Sequence, residues 1–370
     1  MKDPYAIDSH KMIYHPKRTA EVLEAGDNWE KARSVYPIYV EISPIGTCNH
    51  RCRFCAVDYV GYKPDRLRLP IMAQRLPEMA QLGVKSVNFA GEGEPFLNKN
   101  LGAMILIARD SGLDVSLTTN ASIMPKTFPA EVLWALSWLK VSINAGAAET
   151  YAHIHQTRPE DFDRVLDNMR AMVQAKRAMN LSCTLGAQSL LLPDNVGEME
   201  QLADICKEIG MDYLVIKPYS QHLSSGNREY AKIDYNHYFA VGELLREKSD
   251  DHFSLIFREE SMRLATDEIR YDTCYATPYL WAHIMANGVV SGCSAFLLDD
   301  RFEYGDINQN NFQEIWEGER RKEGLRFVRE ALDITQCRQN CRMDKVNRYL
   351  HAIQIKVPMM MNFIPNIFEP

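Results

Sequence analysis

Cys48, Cys52 and Cys55 stand in the spacing Cys-x3-Cys-x2-Cys, directly after an apolar, strand-like run. Thiolates are the usual ligands of iron–sulfur clusters, and closely spaced cysteines on one loop can wrap a cubane while a distant residue supplies the last ligand. Three thiolates hold three irons of a four-iron cluster, and no fourth cysteine lies nearby in the sequence. The remaining iron is then open to an outside chelator. It is hard enough to take an amine and a carboxylate together, as an amino acid offers them. A structural zinc site would instead want two pairs of ligands, and His50, inside the loop, sits at a spacing seldom used for zinc. Cys274, Cys293, Cys337 and Cys341 form a second set, and Cys183 and Cys206 complete a total of nine.

Such a loop needs a rigid support. From about Tyr36 the chain alternates short β-rich runs with longer amphipathic ones, the sign of a parallel sheet whose crossovers are helices. Strands are expected over 38–43, 86–90, 114–119, 140–144, 181–191 and 213–217, and helices over 71–82, 101–110, 130–138, 162–178 and 196–209. Asp194-Asn195 and Gly210 are the start and stop signals of the last helix. Six β/α units are too few for a closed eight-stranded barrel. In α/β barrels chemistry gathers at the C-terminal ends of the strands, and Cys48–Cys55 follows the first strand as that rule requires.

The run Cys48-Asn49-His50-Arg51-Cys52-Arg53-Phe54-Cys55 resembles the signature loop of the radical S-adenosylmethionine (SAM) superfamily. The resemblance implies an α/β fold with a partial (β/α)6 TIM-like barrel and a 4Fe–4S cluster whose unique iron is chelated by the methionine of SAM. It also implies reductive cleavage of SAM to a 5′-deoxyadenosyl radical. Gly93-Glu94-Pro95, at the end of the second strand, is similar to the family's Gly-Gly-Glu-Pro motif, with Glu92 where the family usually has glycine. Gly93 is expected to let the backbone approach the ligand, and Glu94 to meet the methionyl ammonium. Thr118, Thr119 and Asn120 close strand three, and Ser142 and Asn144 close strand four; such hydroxyls and amides suit ribose and the methionyl carboxylate. Arg158 is expected to fork onto that carboxylate. Phe54 and the backbone at Lys217 are expected to border the adenine. Helix capping is the competing use of the strand-end polar residues, and plain surface exposure that of Arg158.

Cys274, Gly288 and Cys293 resemble the C-x(9–15)-G-x4-C pattern of the SPASM and Twitch auxiliary-cluster domains, and Asn287-Gly288 between alternating runs reads as a hairpin. Relatives close the set with C-x2-C, whereas this chain has Cys337-x3-Cys341. Four thiolates would saturate one Twitch-like auxiliary 4Fe–4S cluster, which then moves electrons or shapes the pocket. Zinc held by four cysteines is the alternative. Cys206 falls on an apolar helix face, and Cys183, on strand five, is considered as a hydrogen-atom donor into the barrel.

The expected organisation is an N-terminal extension (1–35), a radical SAM partial barrel (36–225), a bridge and Twitch-like auxiliary domain (226–345), and a tail (346–370). The tail, with Met359-Met360-Met361, Phe363, Ile364, Ile367 and Phe368, is expected to dock on the body or an interface. Composition is that of an ordinary soluble chain, 46% hydrophobic and 25% charged. A net charge of −7 offers no general attraction for nucleic acid. No apolar run is long enough to span a bilayer, and free thiols in this number fit a cytoplasmic protein. The radical chemistry implies abstraction of hydrogen from an unactivated carbon, followed by oxidation, as in aminocyclitol dehydrogenases, or by epimerisation or loss of water. A small polar substrate is favoured: a sugar, cyclitol or nucleotide-linked sugar. A peptide is the runner-up, because the 35 residues ahead of the barrel are too few for a leader-binding winged helix. A flavodoxin or ferredoxin-type electron donor is implied. A non-catalytic iron–sulfur redox or sensor protein is the reading from a different class, and it leaves the SAM-pocket residues unexplained.

Overall fold

The computed structural model describes residues 12–263, 271–338 and 340–361, with side chains up to residue 354. The apolar tail residues named above, Met359 to Phe368, lie outside the described side chains. The six expected strands are present: β1 (Tyr39–Ile42), β2 (Ser86–Phe89), β3 (Asp114–Thr119), β4 (Trp138–Ser142), β5 (Thr184–Leu191) and β6 (Tyr213–Pro218). Helices Leu69–Gln81, Leu101–Asp110, Glu160–Ala178 and Met199–Ile209 fill the crossovers. The expected helix over 130–138 is replaced by two short turns, Phe128–Glu131 and Leu133–Ala135, because β4 already starts at Trp138. A further helix, Ala148–His155, follows β4.

The parallel sheet runs on past residue 225. β7 (Ser254–Phe257) pairs parallel with β6, inside the stretch expected to be only a bridge. At the opposite edge β8 (Trp281–Ile284) pairs parallel with β1, and the antiparallel β9 (Val289–Ser291) and β10 (Glu303–Asp306) follow it. The ten-stranded order is β10-β9-β8-β1-β2-β3-β4-β5-β6-β7, an open curved sheet. Asn287-Gly288 makes the turn of the β8–β9 hairpin as expected, with Gly288 at φ 101°, a conformation that favours glycine.

Side chains alternate across a strand, so each strand sorts its residues onto two faces. Val40, Ile42, Val87, Phe89, Val115, Leu117, Leu139, Val141, Leu214 and Ile216 are fully buried in the main core. Their neighbours of opposite parity, including Glu41, Asn88, Ser116, Lys140, Gln188 and Lys217, face a cavity of about 1470 Å³. The apolar core is therefore the outer face of the sheet under its helices, and the polar side chains of these strands point into the concave face, where apolar groups also line the cavity. A closed eight-stranded barrel packs its interior with branched apolar side chains. This one keeps the space open.

The N-terminal segment is locked onto the C-terminal one by Arg321, which is fully buried. Its guanidinium donates to the carbonyls of Pro278 (2.8 Å), Trp316 (2.9 Å) and Ala32 (3.2 Å) and lies over the Trp316 ring at 4.3 Å.

Candidate cofactor and metal site

The loop after β1 is pinned on three sides. Asn49 donates to Ser122 Oγ (2.8 Å) and accepts from Asn120 Nδ2 (2.9 Å), which ties it to the end of β3. The amides of Arg51 and Arg53 donate to the carbonyls of His155 (3.1 Å) and Ile154 (2.9 Å), which ties it to the helix after β4. Arg51 Nη1 donates back to the Cys48 carbonyl at 2.6 Å, closing the loop on itself. The three thiols face one another. Burial, then the mutual repulsion of Cys48, Cys52 and Cys55, raises Cys52 well above the ordinary thiol range, and burial pushes Cys48 up to about 11. Arg51 offsets only part of that penalty for Cys48 and Cys55, and iron would supply the remaining positive charge. The donor set fits a cluster corner-bound by three thiolates.

His155 was not anticipated from sequence. Its Nδ1 lies 3.3 Å from Cys52 Sγ and its Nε2 lies 3.2 Å from Asn144 Nδ2. Asn144 Oδ1 accepts the Leu190 amide at 2.6 Å, which orients the Asn144 amide so that its NH2 points at Nε2. Nε2 is then the acceptor, and Nδ1 carries the proton that is donated to the Cys52 sulfur. Burial, then His50, depresses the His155 pKa well below its usual value, in keeping with a neutral ring. His50, Cys52 and His155 bring their ligand atoms within 4.8 Å of one another.

Glu94 lies at the end of the loop after β2. Gly93 packs on the backbone just ahead of Cys48, and the Glu94 amide donates to Thr47 O at 2.9 Å. The carboxylate accepts from Thr119 Oγ1 (2.6 Å), the Asn120 amide (2.8 Å) and the Phe96 amide (3.1 Å). These use three of about four lone-pair directions. Burial pushes its pKa up to about 7 against those three hydrogen bonds. A buried carboxylate with one open direction and no cation beside it fits an ammonium group. Glu92 is used differently: it accepts the Ala286 amide at 3.0 Å, binding the loop to the β8–β9 hairpin.

The second cysteine set closes the other side of the cavity. Cys293 follows β9, Cys274 precedes β8, and Cys337 and Cys341 both lie just before the helix Asp344–Met361. Burial, then Cys341, Cys274 and Cys337, holds the Cys293 thiol well above its ordinary range, so all four sulfurs share one neighbourhood. Asn347 braces the set, with Nδ2 3.4 Å from Cys274 Sγ and Oδ1 accepting the amides of Tyr275 and Ala276 at 2.9 Å.

The other anticipated residues are distributed unevenly. Phe54, Thr118, Ser142 and Lys217 line the cavity. Phe54 stands edge-on to His155, with ring centroids 5.4 Å apart. Thr119, Asn120 and Asn144 are buried and act through Glu94, Asn49 and His155. Arg158 is exposed and outside the cavity lining. Cys183 is corrected as a hydrogen-atom donor: it is 2% exposed, in the core under the helices, at the N-terminal end of β5. The inward positions of that strand are Gln188 and Leu190, so Cys183 has the opposite parity. Sequence reading also passed over Glu41, His283, Arg338 and Arg342. Arg342 forms an ion pair with Glu41, and His283 Nε2 lies 2.9 Å from Ser43 Oγ. Alternation along β1 and β8 was a signal for Glu41 and His283; local sequence carries none for the arginines.

With this geometry in place, the comparisons define the class. Residues 42–206 match the radical SAM superfamily and residues 274–342 match the SPASM iron–sulfur cluster-binding domain. The chain carries a radical SAM domain, which binds SAM and a 4Fe–4S cluster, and a C-terminal SPASM domain, which binds auxiliary iron–sulfur clusters. It is 26% identical over 182 residues to dTDP-4-amino-4,6-dideoxy-D-glucose ammonia-lyase of Streptomyces venezuelae, covering 48% of this chain and 37% of that protein. It is 29% identical over 188 residues to GTP 3′,8-cyclase of Stenotrophomonas maltophilia, covering 49% and 52%. The matches thus span about a third to a half of these relatives' lengths. In fold it is similar to Streptococcus suis SuiB bound to S-adenosylmethionine, with a TM-score of 0.64 and 17% identity over 84% of this chain and 72% of that one. Among the described residues no helix is long and apolar enough to cross a membrane.

Proposed function

We propose that this radical SAM enzyme abstracts hydrogen from a small polar substrate, a nucleotide-linked sugar or a related sugar or cyclitol, and oxidises or epimerises a carbinol carbon. The concave face of the sheet carries this reading: a cavity of about 1470 Å³ lies between the two cysteine sets, and hydroxyl, amide and charged groups, among them Ser116, Gln188, Glu41 and Lys140, share its lining with apolar side chains. Relatives named for a dTDP-amino sugar and for nucleotides point the same way. We assign Cys48, Cys52 and Cys55 to the SAM-binding cluster and Cys274, Cys293, Cys337 and Cys341 to one auxiliary cluster. Bound together, the first cluster and SAM supply a 5′-deoxyadenosyl radical. The protein holds the reactants and excludes water.

Two cavity residues have the protonation states a proton acceptor requires. Burial, outweighing Glu41, pushes His283 down to about 4 and leaves the ring neutral. Glu41 is raised by burial but brought below its ordinary value chiefly by Arg342, so it is ionised. We place a flavodoxin or ferredoxin-type donor and a cytoplasmic setting with this chemistry. Turnover with a deuterated nucleotide sugar tests the reading. Label is expected in 5′-deoxyadenosine, with no solvent hydrogen at the abstracted carbon for oxidation and one for epimerisation. Deoxyadenosine that never carries label from any sugar-class substrate overturns it.

The Glu94 assignment makes a pH prediction. An ammonium pairs with the ionised carboxylate, which is formed as pH rises through about 7. SAM affinity in equilibrium dialysis should rise roughly tenfold per pH unit below that value and level off above it. Glu94→Gln should bind SAM at least about tenfold more weakly at neutral pH and lose the pH dependence.

A further inference from the structure

One group of charges in the cavity is used neither by the cysteine sets nor by the Glu94 pocket. Lys140 on β4, Lys217 on β6, Arg258 just after β7, and Arg338 and Arg342 from the loop that carries Cys337 and Cys341 all line the same space. β6 and β7 are neighbours, and the Arg258 amide donates to Ile216 O at 2.9 Å, so Lys217 and Arg258 sit side by side at the ends of adjacent strands. Arg338 is aimed by Ser220: its Nε donates to Ser220 Oγ at 2.8 Å and its Nη2 to Ser220 O at 2.7 Å. Its Nη1 makes no hydrogen bond in the described structure.

Among the described residues, the carboxylates that line the cavity have partners of their own. Glu41 is paired with Arg342. On the rim, Glu259 is paired with Arg263 at 2.7 Å, Glu260 with Lys345 at 3.3 Å and Asp344 with Arg348 at 2.7 Å. Asp114 begins β3 at the far end of the sheet, 3.9 Å from Arg109. Lys217 makes no hydrogen bond or ion pair among the described residues. Burial, then Lys140, Arg258, Arg342 and Arg338, presses its pKa well below the ordinary lysine range. Like charges gathered in a cleft are costly unless an anion joins them, and low-dielectric walls focus their field on it. Arginine forks and a lysine point charge are the usual means of holding phosphoryl oxygens.

We infer that Lys217 and Arg338, with Lys140, Arg258 and Arg342 around them, form a subsite for the phosphate or diphosphate group of the substrate, between the ends of β6 and β7 and the auxiliary cysteine loop. The inference rests on the sugar-class reading above and narrows it to phosphorylated molecules such as nucleoside-diphosphate sugars. Glu94 lies at the end of the loop after β2, and the first cysteine loop reaches from β1 to the end of β6, where Phe54 packs with Tyr219, so the phosphoryl subsite adjoins the SAM site and uses the Lys217 side chain, not its backbone.

The test is calorimetric binding of inorganic pyrophosphate, a nucleoside diphosphate and a neutral sugar to the reconstituted, SAM-loaded full chain without oxygen. Pyrophosphate and the nucleoside diphosphate should bind, more tightly at low salt, and the neutral sugar at least about tenfold more weakly. Lys217→Met and Arg338→Gln should each lower pyrophosphate affinity about tenfold or more, whereas Lys217→Arg should retain it. Iron content and melting temperature establish that each variant is folded and loaded. Equal binding of the neutral sugar, unchanged affinity in Lys217→Met, or displacement of pyrophosphate by SAM each overturns the subsite. Failure is separable from failure of the parent reading: a neutral sugar that drives deoxyadenosine formation sinks the subsite alone. Pyrophosphate binding without label transfer from any nucleotide sugar sinks the parent reading alone.

Discussion

Replacing Cys52 by alanine is expected to halve the iron of the reconstituted protein, from about eight to about four atoms per chain, and to abolish formation of 5′-deoxyadenosine. Cys52 is the middle cysteine of the loop, next to both Cys48 and Cys55. Two thiols cannot keep a four-iron cluster in place, and without it SAM has nothing to chelate. Cys293→Ala should also leave about four irons, taken from the other site, and the double variant should retain almost none. Inductively coupled plasma iron analysis, acid-labile sulfide and chromatography of the SAM cleavage products read all three. Retention of about eight irons by Cys52→Ala would show that the loop does not hold the cluster. Zinc in place of iron at either set would do the same for that set.

Gly93→Ala has the second largest expected effect, through backbone rather than ligand chemistry. A methyl group at this position would overlap the Thr47 carbonyl oxygen and lie 2.5 Å from that of Ile45, both main-chain atoms on the approach to Cys48. Nothing flexible can yield there, so the two loops must separate. The separation also breaks the Glu94 amide bond to Thr47 O and moves the carboxylate away from Thr119 and Asn120. A loss of more than about 3 kcal/mol is expected, typical of a steric clash at a buried backbone crossing. Calorimetric melting of the metal-free protein should show it, together with weak SAM binding after reconstitution. A melting temperature within about 2 °C of the parent would refute this account of the glycine.

The elements legible in the sequence were those with local signatures. Strands β1 to β6 follow from β-rich runs bounded by turn residues, and the Asn287-Gly288 turn from its dipeptide. β7 was missed because Ser254–Phe257 is four residues long inside a charged, aromatic stretch, and only pairing with β6 makes it a strand. The attachment of β8 to β1 has no local mark either: Trp281 to Ile284 are completely buried because they join the parallel sheet as well as the hairpin. Glu94 could be named from its motif, but two of its three hydrogen bonds, from Thr119 Oγ1 and the Asn120 amide, depend on β3 lying beside β2. Arg158 shows the opposite case, a residue assigned by motif that the fold leaves exposed and outside the cavity lining.

The cofactors were legible in short stretches of sequence, because the Cys48–Cys55 spacing, the run from Cys274 through Gly288 to Cys293, a Gly-Glu-Pro turn and a repeating β/α pattern are all local facts. Which face of the sheet is open, and which groups meet there, was decided only by tertiary structure. His155 reaches Cys52 across 103 residues, and Arg338 reaches Ser220 across 118. Such meetings are set by strand order, register and the curvature of the whole sheet, so no window of sequence contains them. The polar side chains on the concave face, and the cations collected among them, follow from the pleat once that order exists.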